Sequence, residues 1–315
     1  KKKVEKLIKK INPDLIINFN FAEAITSMDL DYPKISFAGD MLHIPHITRL
    51  KYAKKINPEH KFNLRNIIRY LGIYWISFFQ KKIMVKILEN ADKSGSWCYQ
   101  YSKWFKKKIS FNNHKFYRVT LIDNKKKFIR PNNNKIKILT KLSSFEGTST
   151  LISLNYLFHE VFPLLEQKLK DFNYEIHVIG KGGLPKNLKE FAKHKKIIIR
   201  GFVKDLDKEI NCSDLVLFPN PAEIGLRCRI LNAFANYGCC IIHKSDSIGI
   251  PEIQNFKNCL VGKDAKQISE LTLFAIKNKK KRFEIKKNAR KTFSSYDSKK
   301  SIKPILDDIK KIVQQ

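Results

Sequence analysis

The chain has 315 residues, 43% of them hydrophobic, enough to bury one large core or two medium ones, and its length favours two domains. An aromatic share of 11%, with 22 Phe and 11 Tyr, excludes a disordered chain, and 12 Gly with 11 Pro excludes a collagen-like or low-complexity one. The net charge of +33 suggests a nucleic-acid binder, but it comes from 52 Lys and only 10 Arg spread along the whole chain. An A- and T-rich genome produces that composition without functional demand, so compositional bias and a real attraction to anionic surfaces both stay open, and no specific nucleic-acid partner is expected.

Val4, Leu7 and Ile8 have helical spacing, and Asn12-Pro13 ends that helix. The sequence starts without Met and its first residues read as the tail of a helix, so the chain is expected to lack an N-terminal segment. Residues 15–19 and 34–38 read as short buried strands, the second ending at Gly39-Asp40. A long helix is predicted over 64–90. Its apolar and aromatic centre, 67–79, is flanked by Lys61, Lys81 and Lys82. It is too short to span a bilayer and suits either a buried core or a membrane interface. Trp97-Cys98 is read as a third strand, 102–108 as a helix and 117–121 as a fourth strand. Residues 124–135, with Pro131-Asn132-Asn133-Asn134, read as an interdomain linker.

After it, strands are predicted at 136–142, 175–179, 197–201, 215–218, 240–243 and 259–261. Helices fall over 150–169, 188–194, 227–236 and 268–277, and a last helix over 300–313 follows a break at Ser294-Ser295. Strands alternating with helices imply parallel sheets. The expected fold is α/β, with two Rossmann-like doubly wound parallel-sheet domains facing a cleft. The first spans 1–128 and is incomplete, the second spans 129–295, and a C-terminal helix, 296–315, is a candidate for crossing back.

Cys98, Cys212, Cys228, Cys239, Cys240 and Cys259 form no CxxC pair, and several sit in apolar runs. They read as buried thiols in a reducing cytoplasm. Two DxD triplets, Asp29-Leu30-Asp31 and Asp205-Leu206-Asp207, fall in polar turns, and no metal site is expected from them. Gly180-Lys181-Gly182-Gly183 follows a strand, where a Gly-rich turn lets backbone approach a phosphate or simply links strand to helix.

The most informative stretch starts at Gly201-Phe202-Val203 and Ser213-Asp214-Leu215. It continues through Pro219, Glu223-Ile224-Gly225-Leu226-Arg227-Cys228-Arg229, Ala235-Asn236-Tyr237-Gly238 and Gly249-Ile250-Pro251-Glu252. Gly225 just before a helix leaves backbone N–H groups exposed at an end that attracts anions. Arg227 and Arg229 in that first turn are unfavourable unless an anion such as a diphosphate sits between them. This succession resembles the donor-binding domain of family-4 glycosyltransferases of the GT-B fold over roughly 135–288. Asn12-Pro13-Asp14 through Asp40 resembles, more loosely, the acceptor domain of the same family.

The resemblance implies transfer of a sugar, of hexosyl type, from a nucleotide-diphosphate sugar to a glycan or lipid-linked acceptor. It further implies retained configuration, no metal, no cofactor beyond the donor, and a setting in bacterial surface polysaccharide synthesis. The expected place is the cytoplasm, with attachment to the inner face of an anionic membrane left open. On the donor side it implies Lys141, Ser144, Gly147, Gly180, Gly225, Leu226, Arg227, Arg229 and Asn232, with Glu223 holding the sugar. On the acceptor side Asp40 and His43 take the catalytic positions, with His46 beside them.

Four departures from the family pattern stand out. Lys141 replaces an Arg, and Glu146 replaces a Lys, which reverses a charge. Asn232 replaces a carboxylate that holds ribose hydroxyls, and Gly39 replaces a histidine. They motivate a second expectation, a GT-B protein that binds nucleotide or sugar without turnover. A basic polyanion binder is a third.

Overall fold

A computed structural model describes residues 2–56, 64–109, 113–124, 127–129, 135–145 and 147–314. It divides into two compact units. The first takes the described residues of Lys1–Leu50, Lys61–Ile122 and Ser295–Gln315; the second takes those of Lys51–His60 and Asp123–Ser294.

The first unit carries four parallel strands in sequential order, β1 (Ile16–Asn18), β2 (Lys34–Ala38), β3 (Lys93–Ser96) and β4 (His114–Phe116). The opening helix, Lys2–Ile11, ends at Asn12, which takes a left-handed φ of 51° and donates its N–H to the Ile8 carbonyl. All five residues of β2 are buried, as a strand covered on both faces requires. Ile35 and Phe37 point to a cluster with Tyr117, Ile305 and Ile312. Phe37 stacks on Trp97 at 4.9 Å and meets the edge of Tyr117 at 5.4 Å. The C-terminal helix Lys303–Val313 closes this cluster and is pinned by Asp308, whose carboxylate accepts from Tyr117 Oη at 2.6 Å and Lys115 Nζ at 2.7 Å. Backbone bonds between Leu121 and the 296–298 segment bring the chain back to this unit.

The third and fourth strands lie just before the segments that sequence suggests. β3 reads Lys-Ser-Gly-Ser, and its Ser94 and Ser96 hydroxyls meet His114 Nδ1 and Nε2 at 3.0 and 3.3 Å. Burial, with Lys106 nearby, holds His114 down to about 4, so the ring is a neutral tie between two strands. Polar side chains that satisfy one another inside the sheet carry no apolar signature. The apolar Trp97, Cys98 and Tyr117 just beyond the strand ends supplied the misleading one.

The second unit carries six parallel strands: β5 (Ile136–Ser144), β6 (Tyr174–Lys181), β7 (Ile197–Gly201), β8 (Leu215–Phe218), β9 (Cys240–His243) and β10 (Leu260–Gly262). Their spatial order is β10-β9-β8-β5-β6-β7. Counted within the unit this is the doubly wound 3-2-1-4-5-6 arrangement, whose order reverses between β5 and β8. The core joins β5, β6 and β8 to the helical run 148–168 through Ile138, Leu154, Phe158, Leu165, Val178 and Leu217, among others.

The helix predicted over 150–169 is three pieces: Thr148–Tyr156, a π-helical turn at Leu157–Val161, and Phe162–Lys168. Pro163 has no N–H to donate to His159, and the widened turn absorbs that loss. A helix at Lys279–Phe293, absent from the sequence expectation, buries Arg282 and Lys286. Arg282 donates to Asp214 at 3.0 Å and Lys286 to the Ser213 carbonyl at 2.6 Å. Burial holds the Lys286 ammonium down to about 8.

Of the expected linker, residues 127–129 are fastened to the second unit. Asn211 bonds the Lys127 carbonyl and the Ile129 N–H, and Phe128 packs edge-on to Phe283. Pro131 to Asn134 lie outside the described residues. The cysteines are in the thiol form, with Cys98, Cys239, Cys240 and Cys259 buried.

Candidate functional site

In a doubly wound sheet the ligand crevice lies beyond the carboxyl ends of the strands, where the order reverses. Here that is the end of β5 and the end of β8. β5 runs out through Ser144 and Phe145 to Gly147, which caps the helix Thr148–Tyr156 in an extended conformation. The first-turn N–H groups of that helix have no intrahelical acceptor and point at the crevice, a ready place for an anion. Phe145 is buried and lies flat against Gly180 of β6, where a Cβ would stand 2.4 Å from the ring. Gly180 has no room for a side chain because Phe145 occupies that space. The positive φ in that stretch, 98°, belongs to Gly182.

The exit from β8 reads Phe218-Pro219-Asn220-Pro221-Ala222-Glu223-Ile224-Gly225. Asn220 is its hub. Its side-chain amide donates to Ser149 Oγ at 2.9 Å, its Oδ1 accepts from the Ala222 N–H at 3.0 Å, and its carbonyl accepts from Ser245 Oγ. Tyr52 is buried against Ile152 and Ala222 and donates to the Pro221 carbonyl at 2.8 Å. Burial, and then the Glu223 carboxylate, push the Tyr52 phenol up. Glu223 itself is exposed at the tip of this turn. Gly225 has a φ of 52°, which a side-chain-bearing residue resists. Gly249, after β9, lets Leu226 approach so closely that a Cβ would stand 2.9 Å from Leu226 Cα.

Arg227 is buried against the start of the crevice helix. Only 7% of it is exposed, and each of its three nitrogens donates a hydrogen bond inside the unit. Nε donates to Asp246 at 2.7 Å, Nη1 to Ser149 Oγ at 3.0 Å, and Nη2 to the Ala222 carbonyl at 3.1 Å. Asp246 is 2% exposed, and its burial pushes the carboxyl up to about 6 against the pull of Arg227 and Arg229. The pair locks the ends of β5, β8 and β9 together.

Arg229 is half-buried in the first turn of the helix Cys228–Ala235, held down to about 10 by burial and then by Arg227. Asn232, nearly one turn further along the helix Cys228–Ala235, faces Asp207, with a long Nδ2 contact of 3.4 Å. Asp207 also accepts from Asn236 at 2.9 Å and Asn124 at 2.7 Å.

The structure thus brings Gly147, Glu223, Gly225, Leu226, Arg227 and Arg229 to one end of the sheet. Ser144 stands on the same strand end, and Gly180 one strand away. The Lys141 side chain and Glu146 lie outside the described residues. Ser149, Asn220 and Asp246 were missed by sequence reading. The Pro-Asn-Pro at 219–221, directly after a strand, was a readable signal for Asn220. Asp246 had none, because its partner is 19 residues away. Asp205 caps the helix Leu206–Asn211 through the Lys208 N–H. Among the described residues no group of three or more His, Cys, Asp or Glu could hold a metal ion.

In the first unit, Asp40 is exposed just past the end of β2, and His46 is exposed nearby. His43 is 3% exposed, with a buried Nδ1 that has no hydrogen-bond partner. Burial, and then the Lys81 charge, hold it down to about 4, so it is neutral at neutral pH. No described helix is long and apolar enough to cross a membrane.

Residues 148–278 match the family described as glycosyl transferases group 1. The match starts at the crevice helix and includes the whole β8 exit, and it bears out the resemblance read from the sequence. The chain superposes on a glycosyltransferase from Rickettsia africae with a TM-score of 0.70 at 14% identity, covering 100% of this chain and 80% of that one. For HepE from Anabaena, solved with UDP, the TM-score is 0.71 at 14% identity, with 98% and 82% covered. For sucrose-phosphate synthase from Thermosynechococcus elongatus it is 0.69 at 10% identity, with 98% and 76% covered. The fold is that of the GT-B glycosyltransferases. Among curated proteins, none matches the chain by sequence.

Proposed function

We propose that the chain is a glycosyltransferase that moves a hexosyl group from a uridine-diphosphate sugar to a glycan or lipid-linked acceptor in surface polysaccharide synthesis. The observation that carries it is the conjunction, at the switch point of the second unit, of an open helix N-terminus at 147–150 with the Glu223–Arg229 turn. The family match over the same residues and the UDP and UDP-glucose complexes of HepE support it.

In this reading the diphosphate lies against the N–H groups of 148–150 and the Arg229 guanidinium. The acceptor hydroxyl bonds to the anomeric carbon on the face that the diphosphate leaves, and its proton passes to the departing diphosphate oxygen as the carbon–oxygen bond breaks. Negative charge then gathers on the leaving diphosphate, where fixed donors stabilise it without reorganising. Arg227, spent on Asp246 and Ser149, shapes the turn and leaves the phosphates to its neighbours. Glu223 takes the sugar hydroxyls. On the acceptor side Asp40 is the exposed group able to orient a hydroxyl. Retention of configuration and independence of added metal are part of the proposal.

A second reading, nucleotide binding without turnover, is favoured by Asn232, an uncharged side chain turned toward Asp207. Thermal unfolding with UDP, GDP and ADP, each with and without EDTA, separates the possibilities. UDP at a hundredfold excess over its Kd is expected to stabilise by about 2.7 kcal/mol, unchanged by EDTA. Release of UDP from UDP-sugars then supports transfer, and stabilisation with no release from any UDP-sugar supports the binding-only reading. No shift with any nucleotide contradicts both.

A further inference from the structure

The long helix of the first unit, Leu64–Glu89, has an outer face that no described residue of the unit covers. Its inner stripe is Ser77, Met84, Ile87 and Leu88, all buried, with the Ser77 hydroxyl bonded back to the Ile73 carbonyl at 2.6 Å. On the opposite side, spaced three and four residues apart, stand Ile68, Leu71, Trp75, Phe79, Lys82 and Lys86. All six are exposed, Trp75 by 67% and Phe79 by 51%. Trp75 stacks on Phe79 at 6.0 Å, and the Lys82 ammonium stands 4.6 Å from the centre of the neighbouring Phe78 ring. The face is apolar over its first turns and cationic over its last, and no Asp or Glu occurs from Leu64 to Leu88.

We propose that this face is a docking surface for an anionic lipid membrane. Exposed aromatic and aliphatic side chains in a contiguous patch mark an interaction site. Trp, Phe and Leu on one side with lysines beside them are the composition of a helix lying in the headgroup layer. Charge selects the occupant. A second copy of a chain carrying +33 brings like charge to like charge, whereas anionic headgroups meet Lys82 and Lys86 with the opposite sign. The side chains of Ile68, Leu71, Trp75 and Phe79 enter the boundary between headgroups and acyl chains, and the two ammonium groups stay among the phosphates. The same helix carries Lys81, whose charge reaches His43, so the face belongs to the element that flanks the proposed acceptor side. The inference stands on this helix alone and survives if the glycosyltransferase reading fails.

The test is cosedimentation of the full chain with phosphatidylcholine vesicles, with and without phosphatidylglycerol, at low and moderate salt. Wild type is expected to sediment with the phosphatidylglycerol vesicles and poorly with phosphatidylcholine alone. Trp75→Ser with Phe79→Ser is expected to weaken partition at least tenfold, since about 1.4 kcal/mol of lost apolar burial is already tenfold. Lys82→Gln with Lys86→Gln is expected to weaken it about fivefold per charge and to flatten the salt dependence. All four positions are exposed, so the variants should keep the wild-type Tm, and circular dichroism checks this. Vesicle binding unchanged in the aromatic double variant overturns the proposal. So does a wild-type dimer, by light scattering, that the aromatic variant converts to monomer, which assigns the face to a second copy.

Discussion

Arg227→Ala is expected to cost about 3–5 kcal/mol of stability, because it strands a carboxylate that the fold has taken out of water. Asp246 is 2% exposed and receives the Arg227 Nε–H at 2.7 Å. The same substitution removes a donor from Ser149 and one from the Ala222 carbonyl, so of the turn's ties to the crevice helix only the Asn220–Ser149 bond named above stays in place. Nucleotide binding should fall with it, through the shape of the site and not through a lost phosphate contact. Removing both charges, Arg227→Met with Asp246→Asn, should recover most of the stability, since the stranded charge is the costly element. Urea unfolding of the two variants checks this. A loss below about 1 kcal/mol in Arg227→Ala would mean that Arg227 is not the strut described.

Glu223→Gln is expected to do the opposite: leave stability within about 0.5 kcal/mol and lower kcat for sugar transfer by about a hundredfold to a thousandfold. Glu223 is exposed at the tip of a turn whose own hydrogen bonds run through Asn220, Ala222 and Pro221. Gln keeps the shape and one acceptor but not the charge. Thermal unfolding and steady-state release of UDP from the UDP-sugar that proves active are the two readouts. Equal kcat in the variant removes Glu223 from the chemistry.

The two substitutions separate positions that look alike in the sequence. Arg227 and Arg229, two residues apart in a glycine-led turn, both read as phosphate cations. The structure spends one on Asp246 and keeps the other half-buried near the crevice. Sequence could not make that distinction, because the decisive partner is a carboxylate on a different strand's exit.

The same limit explains what was legible elsewhere. The strands of the second unit are rich in apolar residues, β8 is buried along its whole length, and all six lie within two residues of their expected limits. β3 and β4 are held by Ser94, Ser96 and His114, which satisfy one another in the interior, and neighbouring apolar residues drew the expectation past them. The helix Lys279–Phe293 reads as solvated charge because its buried Lys286 and Arg282 find their acceptors on the turn before β8. The sequence likewise gives no sign that Phe145 packs against Gly180. Periodicity reports burial of apolar surface; it is silent about a polar group whose burial depends on a partner far along the chain.

The central claim, that the switch point of the second unit is the nucleotide-diphosphate site, is tested most directly by amide hydrogen exchange of the full chain with and without saturating UDP. The account predicts slowed exchange in peptides covering 147–151 and 222–229, where the crevice helix begins and the Glu223–Arg229 turn lies. Peptides over β1 to β4 in the first unit should exchange at unchanged rates. UDP binding that leaves 147–151 and 222–229 unprotected would contradict the account and place the nucleotide elsewhere.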